Sequence, residues 1–196
     1  MKGEKISTRD KIIQVGAEII VKEGLRKFTA KNIASKLNIT DAAIFKHFNS
    51  MDEIIMEIID RYVSKCIKSV DVAIEKGRNT KETLELVMRA HFEVLEETRG
   101  AVPILCFEFS RSENKKFFDI LHEFVKNYKC KLSEVLKKGQ EEGLVREDID
   151  PEDTAMLFVG LIQAKVFAYV MDNRTGPIIQ NPDQLISQLF YGILKH

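Results

Sequence analysis

Phe28-Thr29-Ala30-Lys31-Asn32-Ile33-Ala34-Ser35-Lys36-Leu37-Asn38-Ile39-Thr40-Asp41-Ala42-Ala43-Ile44-Phe45-Lys46-His47-Phe48-Asn49-Ser50 is the stretch that decides the fold. Two short helical patterns flank a reversal. Residues 30–37 place Ile33, Ala34 and Leu37 at helical spacing behind Thr29, whose hydroxyl can cap free amides. Residues 41–48 place Ala43, Ile44 and Phe48 behind Thr40 in the same way. Asn38 stands at the reversal, and Asn tolerates left-handed backbone better than most residues. A short helix, a turn of about three to four residues and a second short helix form the helix-turn-helix pattern. The chemistry suits duplex DNA. Ala42 and Ala43 let a helix approach base edges, and an alanine can touch a thymine methyl. Thr29, Lys31, Lys36, Thr40, Lys46, His47 and Asn49 carry groups that can bind phosphates and fix register. Amides at the helix starts add anion-binding capacity.

Outward from this stretch the pattern stays helical. Ser7 with Asp10 three residues on predicts a cap for a helix near 8–23, and Gly24 suits its end. Ser50-Met51-Asp52-Glu53 reads as a capping box, with Glu53 reaching back to the cap residue. It opens a helix that runs to Gly77, about 39 Å long at 1.5 Å per residue, enough to join a head to a body without a flexible linker. Further helices are predicted over 80–97, 102–110, 113–142 (capped by Ser112), 151–172 and 182–195. Asp150-Pro151 and Asn181-Pro182 pair a cap with a proline at the first helical position. The last two helices are apolar round much of their girth, so they are expected to bury against a second copy in a two-fold homodimer. The fold class is all-α: a three-helix head over residues 1–50 and a helical, self-associating body over 51–196, nine helices in all.

Composition narrows the function. In the 196 residues, 30 Lys and Arg balance 30 Asp and Glu, but the charges are segregated. The first fifty residues hold ten bases against five acids, a net of +5; the rest hold twenty against twenty-five, a net of −5. A basic head on an acidic body suits a polyanion. Four prolines and ten glycines argue against a turn-rich sandwich. No unbroken apolar run approaches the roughly 18 residues of a membrane span, so no membrane partner is expected. The N-terminal residues lack an apolar secretory core, and Cys66, Cys106 and Cys130 are odd in number, which points to reduced thiols in the cytoplasm. His47, His91, His122 and His196 form no HExxH, the cysteines form no CxxC, and no GxSxG or glycine-rich phosphate loop occurs. Neither an enzyme nor a metal or other cofactor is expected.

The residues quoted at the outset resemble the DNA-binding block of the TetR family of transcriptional regulators, which runs roughly T-x-x-x-I-A-x-x-x-G-V-S-x-x-x-[LI]-Y-x-[HY]-F-x-[SN]-K-[ED]-x-[LI]. Thr29, Ile33, Ala34, Ile39, Thr40, Ile44, His47, Phe48, Ser50, Asp52 and Ile54 fall in register. The resemblance implies an Ω-shaped homodimer: helices 1–3 bind an operator duplex, helices 4–7 hold a small-molecule effector, and helices 8 and 9 pair the subunits. It carries over Thr29, Ala30 and Lys31 as DNA contacts from helix 2. Thr40, Asp41, Ala42 and Ala43 match the base-reading start of helix 3, and Phe45, Lys46 and His47 its further contacts; Asn49 completes the polar set. Phe45 replaces a usual tyrosine and loses its hydroxyl, Asn38 replaces the turn glycine, and Met51 a phosphate-binding lysine. Asp41 can accept from a cytosine amino group or favour the helix dipole.

For the effector pocket the aromatic and soft residues of helices 4–7 are the candidates: Tyr62, Cys66, Met88, His91, Phe92, Cys106, Phe109, Phe117, Phe118, Leu121, Phe124 and Tyr128. Each also fits plain core at helical spacing. A pocket built from them would take a lipophilic ligand. The expected function is a repressor released from a pseudo-palindromic operator when the ligand moves helix 4. The alternative is a helical protein-interaction adaptor that never touches DNA.

Overall fold

Local caps set most helix ends in the computed structural model, which describes residues 6–110 and 114–194. Among these residues there are nine α-helices and no strand, only an isolated bridge between Val145 and Leu194. The helices are α1 (Thr8–Glu23), α2 (Ala30–Leu37), α3 (Asp41–Ile44), α4 (Met51–Lys76), α5 (Thr80–Glu97), α6 (Ala101–Phe109), α7 (Lys115–Glu141), α8 (Pro151–Met171) and α9 (Pro182–Ile193). Two compact units divide within α4, one ending at Tyr62 and the other beginning at Val63.

In the first unit the Ser7 hydroxyl accepts the Asp10 amide at 3.1 Å and starts α1. Ile12, Ile20, Ile33, Ile44, Phe48, Ile54 and Ile58 form a core with almost no exposure. Gly16 lets α1 approach closely: a methyl there would stand 2.9 Å from the Phe28 ring. Thr29 and Thr40 cap α2 and α3 as predicted, each accepting the amide three residues on at 3.2 Å. Asn38 is left-handed, with φ 54° and ψ 46°.

Two local expectations are corrected. The helix predicted over 41–48 stops at Ile44. The next amides wind tighter, with His47 donating to the Ile44 carbonyl at 2.9 Å, and the turn rotates Phe48 into the core. At the capping box, Ser50 accepts the Glu53 amide at 3.1 Å, but Glu53 reaches past Ser50. Its carboxylate takes the backbone amide and side-chain amide of Asn49 at 2.7 and 2.8 Å.

In the second unit α7 packs on α5, α6 and α8, α6 also packs on α8, and α9 lies against α5. Left-handed Gly100 (φ 73°) separates α5 from α6, and Asn114 caps α7. Ser112, the expected cap of that helix, lies outside the described residues, as does residue 195 at the expected end of the last helix. Asp150 caps α8 by accepting the amides of Glu152 and Asp153, both at 2.8 Å. Asn181, expected to act likewise, makes no side-chain cap bond, and proline alone marks the α9 start. The Arg146 amide donates to the Ile193 carbonyl at 3.0 Å and fastens the end of α9. The longest unbroken apolar run in α8 covers residues 155–162, short of a membrane span; by length and mean hydropathy alone α8 is the one helix among the described residues long and apolar enough to cross a membrane.

Candidate functional site

The α2–α3 surface rests on buried Ile33, Ala34, Ile44 and Phe48, which turn the polar residues outward. Thr29, Lys31, Thr40, Asp41, Ala42, Phe45, Lys46, His47 and Asn49 are exposed, and Ala30 and Ala43 are half-buried. The hydroxyl oxygens of Thr29 and Thr40 accept backbone amides, which leaves each hydroxyl proton able to donate to an anion. Lys31 and Lys46 have no carboxylate within ion-pair distance among the described residues, whereas Lys36 is held by Glu23 at 2.9 Å. The backbone and side-chain amides of exposed Asn49 both donate to Glu53, and these two bonds hold the Glu53 carboxyl below the ordinary range. Phe45 is 48% exposed and offers an apolar face in place of a hydroxyl.

Sequence reasoning passed over Arg9. Its guanidinium lies 4.1 Å from the Phe48 ring centroid. One nitrogen donates to the His47 carbonyl and another to the Glu57 carboxylate. Glu57 also accepts from Arg61, which reaches Asp10 at 2.8 Å. The Ser7 hydroxyl, and then Arg61, lower the Asp10 carboxyl. The only sequence signal was a basic residue beside a cap on an amphipathic helix, which is indistinguishable from a solvated charge.

Four of the expected pocket residues come together in the second unit. His91, Cys106, Phe124 and Tyr128 border a small pocket of about 30 Å³, lined also by Val102, Pro103, Val125, Val159, Ile162 and Gln163. His91 Nδ1 and the Tyr128 hydroxyl share a hydrogen bond, with the rings edge-on at 5.0 Å. Desolvation pulls the His91 imidazole down to about 4 and raises the Tyr128 phenol, so both are neutral near pH 7. Burial also pushes the thiols up, Cys66 to about 12 and Cys106 to about 11, leaving them poor nucleophiles. Met88, Phe92, Phe109, Phe117 and Leu121 are buried core outside the cavity lining, and Phe109 meets Phe117 at 4.7 Å. Tyr62 is half-buried at the end of the first unit. Phe118 corrects its expectation: it is 42% exposed and stacks on His122 instead of facing inward. Gln163 and Val159 also line the pocket, although the apolar girth of α8 in the sequence points only to a dimer surface. A wider groove of about 420 Å³ between α4 and α5 carries Lys65, Lys68, Lys76 and Arg89.

Comparison with known proteins decides the family. Residues 12–58 match the family model described as bacterial regulatory proteins, tetR family, and residues 58–192 match that of the YsiA-like protein, C-terminal region. The chain belongs to the TetR family. It is thus a ligand-responsive, DNA-binding transcriptional regulator. It is 22% identical over 182 residues to the fatty acid metabolism regulator protein of Bacillus subtilis, covering 93% of each chain. It is 24% identical over 148 residues to the transcriptional repressor KstR2 of Rhodococcus jostii, covering 76% of this chain and 72% of the relative. The solved structure of the ketosteroid regulator KstR2 of Mycobacterium tuberculosis shares the TetR fold with a TM-score of 0.86, at 24% identity, over 99% of this chain and 98% of that one. Bacillus subtilis FadR in complex with stearoyl-CoA gives a TM-score of 0.75 at 22% identity, over 93% and 98%.

Proposed function

We propose that this TetR-family chain is a cytoplasmic, non-enzymatic repressor whose homodimer sets two α2–α3 surfaces on successive major grooves of a pseudo-palindromic operator. The observation that carries the reading is that surface. Thr40, Asp41, Ala42 and Ala43 open a recognition helix at the solvent boundary, and Lys31 and Lys46 stand uncommitted on the same small unit. Thr40 to Ala43 read base edges; Thr29, Ala30 and Lys31 from α2, and Phe45, Lys46, His47 and Asn49 after α3, hold the backbone.

The dimer forms through α8 and α9. Leu157 and Phe167 on α8 are 67% and 66% exposed, and Met156, Met171 and Tyr191 of α9 are also uncovered. At Gly160 and Gly192 a methyl would meet nothing within 4 Å. Monomers seldom leave so continuous an apolar face in water. The opposite side of α8 buries Phe158, Ile162 and Val166, with α6 and α7 as its packing partners, so we assign the outer face to a second copy and not to lipid.

The effector is lipophilic with a polar end, as the regulators of fatty acid and ketosteroid metabolism among the relatives suggest. It enters beside His91, Cys106, Phe124 and Tyr128, where the neutral His–Tyr pair can bind a carbonyl or hydroxyl. A ligand of that size needs several hundred Å³, so α6, α7 and α8 must part around it. α4 is one unbroken helix, Met51–Lys76, and the boundary of the two units falls within it. A coupling of about 1–3 kcal/mol is typical of such switches.

A gel shift at low salt tests the reading. The chain should prefer an operator duplex over random duplex, and stearoyl-CoA or a ketosteroid should release it. Lys46→Ala with His47→Ala should abolish the shift. Absence of any duplex preference would instead support the adaptor reading.

A further inference from the structure

The recognition helix is one turn long, Asp41–Ile44, and so short a helix does not hold its own position in water. Its start is fixed by Thr40, and its far end needs an outside support. That support is Arg9 on α1. The guanidinium donates to the His47 carbonyl, where the recognition turn leaves α3, and lies on the face of Phe48, which plugs the turn into the core. Its other nitrogen binds Glu57 on α4, with Glu53 at 3.6 Å, and Arg61 holds Glu57 from one turn further along α4. Glu53 in turn fixes the Asn49 amide. Arg9 therefore bonds the carbonyl of the recognition turn to Glu57 of α4 and pairs with Glu53 on the same helix.

We propose that Arg9 is a positioning residue for DNA recognition: it sets where the α3 turn stands relative to α4, without itself contacting DNA. The inference rests on the docking reading above. It follows from the planar fork of guanidinium, which can serve a carbonyl and a carboxylate at once, as a lysine ammonium cannot in the same fixed geometry. If the carbonyl of His47 is released, the base-reading residues Thr40 to Ala43 keep their chemistry and lose their register.

The test uses full-length protein and a duplex enriched by it from a random pool, with affinity measured over a range of salt. Lys46→Ala should weaken binding and lower the salt slope by about one, the mark of a lost phosphate contact. Arg9→Ala should weaken binding roughly ten- to hundredfold, the scale of one or two lost base contacts, with the slope unchanged. Arg9→Lys should recover cooperative melting but not affinity. Glu57→Gln, which leaves Arg9 in place, should produce a smaller loss with the same slope, and it keeps the test open if Arg9→Ala does not fold. A slope reduced by about one in the Arg9 variants would make Arg9 a phosphate ligand and overturn the proposal. Full affinity in Arg9→Lys or in Glu57→Gln would overturn it too. Should Lys46→Ala change neither affinity nor slope, the docking reading fails, and not the role of Arg9 alone.

Discussion

α3 and α8 each turn an uncovered face to solvent, and the two faces have opposite chemistry. α3 is four residues long, capped and braced by neighbours, with threonine, aspartate and alanine outward. α8 is 21 residues long, buries one side, and leaves Leu157 and Phe167 in water on the other. Exposure alone says little about function. Exposure together with residue type separates a surface that meets a polyanion from one that meets its own copy.

The largest effect that separates these faces should come from Leu157→Glu combined with Phe167→Glu. Two buried charges facing two more across a two-fold axis should raise the dimer dissociation constant by at least about a hundredfold. Sedimentation should then show monomers with an intact helical spectrum and weak operator binding. An unshifted dimer would remove α8 from the interface.

In the interior of the second unit His91 is the sensitive group. Its folded value of about 4 lies below the ordinary 6.5, so the unfolded chain binds the extra proton between those values. Stability is therefore complete above about pH 6.5 and falls as pH drops toward 4, by on the order of 3 kcal/mol if the shift is fully expressed. Urea unfolding across this range should show the slope, and His91→Gln should flatten it. A slope retained in His91→Gln would assign the proton elsewhere.

The smallest effects compare the two caps. Thr40→Ala and Asp150→Ala should each cost about 1 kcal/mol in chemical denaturation. Only Thr40→Ala should also weaken duplex binding, because only that cap shapes the DNA face. Equal losses of binding would erase the distinction.

How much was legible in the sequence follows from the range of the forces involved. Ser7, Thr29, Thr40 and Asp150 act on amides two or three residues away, so the starts they cap could be read directly. The head was equally legible because its anchors, Ile33, Ala34, Ile44 and Phe48, sit at helical spacing within one short stretch. The end of α3 was not, since the turn after Ile44 is shaped by Phe48 packing and by Arg9 from 38 residues upstream. Glu53 chose Asn49 over Ser50 for the same kind of reason. The pocket was the least legible. Aromatic and soft residues at helical spacing serve core, cavity and surface alike, and only packing sends Phe117 inward, His91 to the cavity and Phe118 to solvent. Gln163 shows the reverse error: one helix, α8, lines a cavity while offering its other side to a partner.

The central claim, that paired α2–α3 surfaces read a duplex, is tested most directly by repeated selection of the full-length chain against a random duplex pool at low salt. The account predicts an inverted repeat whose half-sites lie about one helical turn apart, roughly 34–36 Å. A pool that shows no enrichment, or one that converges on a single unpaired half-site, would contradict it.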